Sequence, residues 1–410
     1  MKTVYLQATL DTKGQEAAFL REILRAQGIA VALVDTGCLG TPAIAADITR
    51  EEVFRAAGTT LAEMRALAER GRAMDAAARG AAALIADLHA QGRVAGVLAI
   101  GGSAGTTIGT AAMRALPIGV PKIMVSTLAS GQVRHYVGNK DILMMNSVVD
   151  ILGINRVSRL VLGEAARAMA GMVAFARKET AADKPLVAAS MFGVTTPCVA
   201  KARQVLEAAG YEVLVFHATG NGGQAMESLI ADGLIAGVLD ITTTELADEL
   251  VGGVLSAGPA RLTAAAARGV PQVVSVGATD MVNFHARETV PVQFHGRRFY
   301  QHNANVTLMR TTPAENAAIG ADIGRKLAAA TGPVEIWLPR RGVSAIDAAG
   351  QPFDDPEARQ ALFDAVKANA RRTTIVELDR HINDPEFAEA AARQLIELMV
   401  AVSTYSEREA

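Results

Sequence analysis

Val97–Met113, VLAIGGSAGTTIGTAAM, is an apolar run that gives way to glycine, serine and threonine and then to a helix-like stretch. Such a strand-to-helix turn presents main-chain N–H groups at the helix opening, and its glycines let a ligand approach closely. That chemistry suits an anion. The same alternation of short aliphatic runs with longer stretches rich in Ala, Leu, Glu and Arg recurs along the chain. It is the pattern of βαβ units, in which helices cover both faces of a mostly parallel sheet. In the first half the spacing predicts strands at Lys2–Ala8, Ile29–Asp35, Val94–Ile100 and Lys122–Ser126, with main helices at Gly14–Gln27, Thr60–Gln91 and Ser103–Leu116. Apolar residues thin out in KETAADKP, Lys178–Pro185, as in a linker. The expected domains are therefore 1–180 and 185–410. The second half restarts with predicted strands at Pro185–Ser190, Tyr211–His217, Ile235–Asp240, Gln272–Val276, Ala304–Met309, Val334–Leu338 and Thr374–Leu378, and helices at Pro356–Ala370 and Pro385–Val400.

Composition bounds the function. A chain of 410 residues exceeds one ordinary core, and 50% apolar residues suffice to fill two. Forty basic side chains against 42 acidic ones give a net charge of −2 with no basic stripe, which argues against a nucleic-acid ligand. The opening MKTVYLQATLDTKG meets charge too early for a secretory signal, and no apolar run is long enough to span a bilayer, so a cytoplasmic protein without a membrane partner is expected. Cys38 and Cys198 are the only cysteines, too few for a disulfide framework or a cysteine-built zinc site.

In an open parallel sheet, ligands bind beyond the carboxyl ends of the strands. Thr9–Glu16 follows the first strand with Asp11 and Lys13; Gly101–Thr107 follows the third; Ser126–Asp141 follows the fourth. The candidate nucleotide-binding residues are accordingly Asp11, Lys13, Gly101, Gly102, Ser103, Gly105, Thr106, Thr107, Ser126 and Thr127. GGSAG lacks both the G-x-G-x-x-G order and a P-loop lysine, but Ser103, Thr106 and Thr107 are more hydroxyls than one helix cap needs. In the second domain MFGVTTPC and HATGNGGQAME place Gly193, Thr195, Thr196, Thr219, Gly220, Gly222 and Gly223 on a similar rim, the candidate substrate-binding set. Thr195 and Thr196 before Pro197 serve equally as a helix cap. Asp240 ends a strand and Glu245 follows it; both are candidates for proton transfer or magnesium ligation, or simply first-turn carboxylates of a helix. His217 is the candidate acid–base imidazole. His285, His295 and His302 fall near Asp280, but their irregular spacing and Arg287, Arg297 and Arg298 disfavour a metal site there. Neither G-x-S-x-G nor H-E-x-x-H occurs.

Blocks spread over nearly the whole chain carry a resemblance. They include GGSAGTTIGTAAMRALPIGVPKIMVSTLASG, SVVDILGINRVSR, FGVTTPCV, FHATGNGGQAME, TTTELADELVGGVLSAGP, GVPQVVSVGATDMVNF and HNANVTLMRTTPAE. Together they resemble the family typified by the N-terminal ATP-binding, inhibitory domain of the tomato mosaic virus resistance protein. The resemblance implies two Rossmann-like domains, a homodimer, and ATP at Asp11, Lys13, Gly101–Thr107, Ser126 and Thr127. Two functions are then open. One is an enzyme acting on a small phosphorylated or carboxylated metabolite in an interdomain cleft, with ATP and Mg2+ as cofactors and Asp240, Glu245 and His217 as its reactive groups. The other is a non-catalytic ATP-binding module that presents a dimer surface to a partner protein. Carboxylates and a histidine at strand ends favour the enzyme. The helix segment after the first domain carries Ile151, Ile154, Val157, Leu160, Val161, Met169, Met172 and Val173, more than one buried stripe needs, which fits either an interdomain core or a dimer contact.

Overall fold

The computed structural model describes residues 2–176 and 183–409, with side chains to residue 403. Most of the expected linker, Lys178–Ala182, lies outside them. The chain divides into two compact units, Met1–Glu179 and Thr180–Ala410.

The N-terminal unit runs β1 (Thr3–Ala8), α1 (Leu10–Ala26), β2 (Val31–Asp35), α2 (Arg50–Ala56), α3 (Leu61–Leu67), α4 (Arg70–Ala90), β3 (Val94–Gly101), α5 (Ser103–Arg114), β4 (Lys122–Ser126), α6 (Arg134–Val137), β5 (Leu143–Asn146) and α7 (Arg156–Ala174). Its five strands form one parallel sheet in the order β2-β1-β3-β4-β5. Side chains alternate between faces. Val4, Leu6, Leu98 and Ile123 pack against Leu20 of α1 and Leu162 of α7, whereas Tyr5, Val97, Ala99 and Met124 pack against Ala77 of α4 and Ile108 of α5. Burial on both faces explains why these strands read as unbroken apolar runs. Since β1 has β2 on one side and β3 on the other, the winding reverses between β1 and β3, and the loops there diverge to leave a crevice.

One predicted helix is two. Thr60–Gln91 breaks between α3 and α4, where Ala68 is left-handed (φ 52°) and Glu69 extended. No glycine or proline marks the break. Packing imposes it: α4 docks so closely that a Cβ on Gly80 would lie 1.9 Å from the Val53 carbonyl oxygen, while α3 buries only Leu61.

The C-terminal unit begins with β6 (Leu186–Met191), α8 (Thr196–Ala208), β7 (Glu212–His217), α9 (Asn221–Ala231), β8 (Ile235–Thr242), α10 (Thr244–Val251), α11 (Ala264–Arg268) and β9 (Gln272–Gly277). It continues with β10 (Met281–Phe284), β11 (Phe299–Asn303), β12 (Val306–Arg310), α12 (Pro313–Ala328), β13 (Val334–Pro339), α13 (Pro356–Asn369), β14 (Thr374–Leu378) and α14 (Pro385–Glu409). A second parallel sheet has the order β14-β13-β9-β8-β6-β7. Helices α8 and α14 cover one face; α9, α11, α12 and α13 cover the other. The predicted strand Ala304–Met309 does not join this sheet. It becomes β12 of an antiparallel sheet, β10-β12-β11, because the short β11–β12 connection permits a hairpin and not the long crossover that parallel neighbours need. Among the described residues, no helix is long and apolar enough to cross a membrane.

Asp248 of α10 fastens this small sheet to its unit. Its Oδ1 accepts the Asn283 amide at 3.0 Å and its Oδ2 the Asn283 Nδ2 at 2.6 Å. Burial pushes its carboxyl up to about 7 despite these donors. The folded state thus holds this proton more tightly than the unfolded state, so its contribution is full below about pH 4 and is lost as pH rises through about 7. The Asn283 Oδ1 is buried without a partner, so a flipped Asn283 amide accommodates an amide at 248. Asp248→Asn is therefore expected to fold and to flatten the decline of unfolding free energy between pH 4 and 7, by up to about 1.4 kcal/mol per pH unit. Urea melts across that range measure it, and parallel wild-type and variant curves would refute it.

Candidate functional site

At the β1/β3 crevice of the N-terminal unit lies a cavity of about 280 Å³ lined by Thr9, Asp11 and Lys13 after β1, Cys38 and Leu39 after β2, and Gly102–Gly105 after β3, with Arg70 and Asp150 on its walls. The turn from β3 into α5 is unusually close. A Cβ on Gly101 would sit 2.7 Å from the Gly105 Cα, and one on Gly105 would sit 2.9 Å from the Ile100 carbonyl oxygen. Both glycines are required for the strand to end against the helix that follows. Gly102 caps α5 without a side chain, and the first amide to find an acceptor is that of Thr106, on the Gly102 carbonyl at 2.8 Å. The amides of Ser103, Ala104 and Gly105 precede it at the cavity wall, at the positive end of the helix dipole.

The hydroxyls divide into two groups. Thr106 donates to the Gly102 carbonyl and lies 2.6 Å from Ser126 Oγ, and Thr107 donates to the Ser103 carbonyl. The surplus hydroxyls read in the sequence secure the helix and β4, and only Ser103 remains exposed at the helix opening. Asp11 is also occupied. Its Oδ2 accepts the amides of Leu39 at 3.2 Å and Gly40 at 3.0 Å. Lys13 Nζ donates to the Ile151 carbonyl, and Glu16 accepts the Gly153 amide, which together tie down the loop carrying Asp150. Asp35, at the end of β2, is where many dinucleotide folds hold a ribose. Here its Oδ1 accepts the Leu10 and Gly37 amides and its Oδ2 the Arg50 Nε at 2.6 Å, and it is 1% exposed. No carboxylate is left there for a ribose.

Two groups stand out as uncommitted. Arg70 is exposed on the cavity wall, and its guanidinium has no partner among the described residues. Gln7 is buried on β1, beside Val34 and Ala99 in register, and both of its side-chain amide atoms lack a partner. It lies two residues beyond Tyr5, so its side chain leaves the sheet on the face shared with Ile108, which lines the cavity. Burial, then Asp11, raises the Cys38 thiol.

The equivalent crevice of the C-terminal unit, between β6 and β8, is filled by the protein itself. Thr195 and Thr242 hydroxyls meet at 2.7 Å. Ser190 donates to Asp240, and Asp240 takes both terminal nitrogens of Arg261, at 2.5 and 2.7 Å. Glu245 accepts the Arg261 Nε at 2.6 Å through Oε2, and the amides of Gly220 (2.7 Å) and Gly223 (3.0 Å) through Oε1. Arg261, Asp240 and Glu245 are all at most 1% exposed, and burial raises the Glu245 carboxyl against the pull of Arg261. Removing one member of such a network leaves a buried charge unpaired, at a cost of about 3–5 kcal/mol. This geometry corrects the sequence-based expectation for these residues. Asp240 and Glu245 are core ion-pair partners, and the glycine loop is close-packed around Glu245, since a Cβ on Gly223 would lie 2.2 Å from its carboxylate. A Cβ on Gly222 would lie 1.9 Å from the His217 carbonyl. Thr195 also bonds Phe192, Thr196 donates to the Phe192 carbonyl, and Thr219 donates to the His217 carbonyl, so these hydroxyls are engaged with the nearby main chain. The His217 ring is exposed, 5.3 Å from that of Phe192, and no hydrogen bond joins it to either carboxylate among the described residues. Gly193, next to Phe192 in sequence, is exposed and makes no bond to the network among the described residues. No group of three His, Cys, Asp or Glu among the described residues is arranged to hold a metal ion.

Residues 2–178 match the N-terminal domain, and residues 184–399 the C-terminal domain, of the Uncharacterised protein family (UPF0261). The chain belongs to this family. A UPF0261 protein of Clostridium tetani is 50% identical over 97% of this chain and 99% of its own length. A second, from Rhizobium meliloti, is 49% identical over 95% and 98%. The ToMV resistance protein Tm-1 of Solanum lycopersicum is 48% identical over 74% of this chain but only 42% of its own length.

The UPF0261 fold thus brings Asp11, Lys13, Gly102, Ser103 and Gly105 to one cavity and leaves Gly101, Thr106, Thr107, Ser126 and Thr127 behind its wall. Sequence reasoning missed Thr36, Cys38 and Leu39, although the same strand-end rule that picked the other loops covers them. Arg70 carried no signal, since it reaches the cavity only because the helix breaks at Ala68. A buried amide without partners costs about 1–3 kcal/mol. Gln7→Met, similar in size, is expected to raise the unfolding free energy by about that amount, measured by urea denaturation. A loss of stability would mean that Gln7 is fully satisfied in solution.

Proposed function

We propose that this UPF0261 protein is a cytoplasmic nucleotide-binding module, with ATP the expected species, and that it binds without consuming it. The observation that carries the reading is the set of three amides, Ser103, Ala104 and Gly105, that open a helix into the β1/β3 cavity without an acceptor among the described residues. A phosphate seated there gains hydrogen bonds and the helix dipole together, and Arg70 neutralises its remaining charge. In this reading Asp150, on the cavity wall, receives the Mg2+ that arrives with the nucleotide. The enzyme alternative drew its weight from Asp240 and Glu245, and both now belong to the core around Arg261. In the N-terminal cavity Asp11 Oδ2 and Lys13 are engaged in holding loops, and the groups that face it at the helix opening and on Arg70 are donors. Binding needs only donors.

The test uses ATP and thermal unfolding. A ligand at about 100 times its Kd stabilises the native state by about 2.7 kcal/mol, so ATP is expected to raise the melting temperature with no ADP formed. Ser103→Pro removes one amide at the first helical position, where proline is well tolerated, and is expected to weaken ATP at least about tenfold while leaving the apo melting temperature near wild type. Absence of any ATP shift in the wild type sinks the reading.

The module is a homodimer in this reading. Helix α7 buries Leu162 and Met169 on its own sheet, while Leu160 is 59% exposed and the flanking Leu152 and Phe175 are 75% and 89% exposed. In this reading these exposed apolar side chains supply the contact with a second copy. Sedimentation velocity is expected to show Leu160→Glu as a monomer at concentrations where the wild type is a dimer; a wild-type monomer refutes it.

A further inference from the structure

In the C-terminal unit the loop of residues 343–355, between β13 and α13, closes over the small antiparallel sheet. Its Ile346 and Phe353 are buried with Ala278, Met281 and Leu308. The Ala345 amide donates to the Val194 carbonyl at 3.0 Å, and the Phe353 amide to the Ile346 carbonyl at 2.8 Å. With this loop is buried a group of charges that the nucleotide reading does not use: Asp280 at the step from β9 to β10, Arg310 at the end of β12, Asp347 in the loop itself and Arg359 on α13. Asp280 and Asp347 are both fully buried.

The two carboxylates are served unequally. Asp347 Oδ1 accepts Arg310 Nη2 at 3.1 Å, and its Oδ2 accepts the Val343 amide at 3.1 Å and Arg359 Nη1 at 2.9 Å. Asp280 Oδ2 has the Ser344 hydroxyl at 2.8 Å, but its Oδ1 is buried with no partner among the described residues. The other nitrogens of Arg310 are held by the carbonyls of Phe353, Asp280 and Thr311. Arg359 is spent on Asp347 and Asp354, and the His381 ring, from the turn after β14, meets the Ser344 carbonyl at 2.9 Å. An ionised Asp280 would leave a charged oxygen out of water without a donor, which costs more than a neutral acid in the same place. Burial, then the Asp347 carboxylate, push the Asp280 carboxyl up to about 7. Burial raises Asp347 as well, but its charged donors leave the proton to Asp280.

We propose that Asp280 is a proton-operated latch: protonated, it lets the 343–355 loop close on the small sheet, and ionised, it opens the loop so that water reaches its free oxygen. The closed loop binds this proton more tightly than the open one, in which the carboxyl returns to its ordinary value of about 4. Closure is therefore fully favoured below about pH 4 and weakens as pH rises through about 7, by up to about tenfold per unit. Opening bares Ile346 and Phe353, so across that range the proton supply sets how much of this apolar surface is on view.

Hydrogen exchange of the Ala345 and Phe353 amides, corrected for their intrinsic rates, tests the latch from about pH 5 to about pH 7.5. In the wild type their protection is expected to fall at least about tenfold over this range. Asp280→Asn, neutral at every pH, is expected to keep its protection constant, while Asp248→Asn, which alters the other attachment of the small sheet, is expected to retain the fall. Ser344→Ala removes the hydroxyl donor to the carboxylate and is expected to move the midpoint of the fall to higher pH, a shift that lost packing alone would not produce; it decides the matter if Asp280→Asn does not fold. Protection that is flat in the wild type, a fall that survives Asp280→Asn or disappears in Asp248→Asn, or an unmoved midpoint in Ser344→Ala overturns the latch.

Discussion

The N-terminal unit depends on a contact between two glycines. Where β3 ends, Gly101 and Gly105 approach so closely that neither tolerates a Cβ, and this contact sets the angle at which α5 leaves the sheet. With it go the inward turn of Thr106 toward Ser126, the lack of a side-chain cap at Gly102, and the first three amides of the helix having no acceptor among the described residues. A larger residue at either position would push α5 outward. The helix would still form, but its opening would no longer face the crevice between β1 and β3.

The two halves show how one architecture disposes of one crevice in opposite ways. In both, loops from the strands at the winding reversal converge, and glycines bring helix openings close to them. In the N-terminal half the polar groups near the opening bind each other and the loops, as Asp35 and Arg50 do, so the helix amides are left over. In the C-terminal half Glu245 reaches back to the amides of Gly220 and Gly223, and Arg261 gathers Asp240 and Glu245 beneath it. Such a core of charges is stable only because each carboxylate oxygen has a donor.

Sequence alone conveyed the fold well, because strands buried on both faces leave apolar runs that need no tertiary information to see; Lys122–Ser126 and Thr374–Leu378 emerge with the ends expected. It failed where tertiary contacts override local preference. The break at Ala68 lies in a sequence of good helix formers, and β5 is a short, half-exposed edge strand with little apolar signal. At the N-terminal cavity, residue type picked out loops that line it but not the role of each group. Thr106 and Ser103 are alike as letters, yet one hydroxyl turns to its own helix and the other to solvent. Glu245 was visible as a carboxylate after a strand, but the arginine that claims it lies 16 residues further on, a distance that no motif spans.

The internal carboxylate of Glu245 has a wider meaning. Being tethered, it is always present at its cradle, and no change in metabolite supply can remove it. That crevice of the C-terminal half is therefore filled from the moment the unit folds. In the N-terminal half no side chain among the described residues fills the corresponding helix opening.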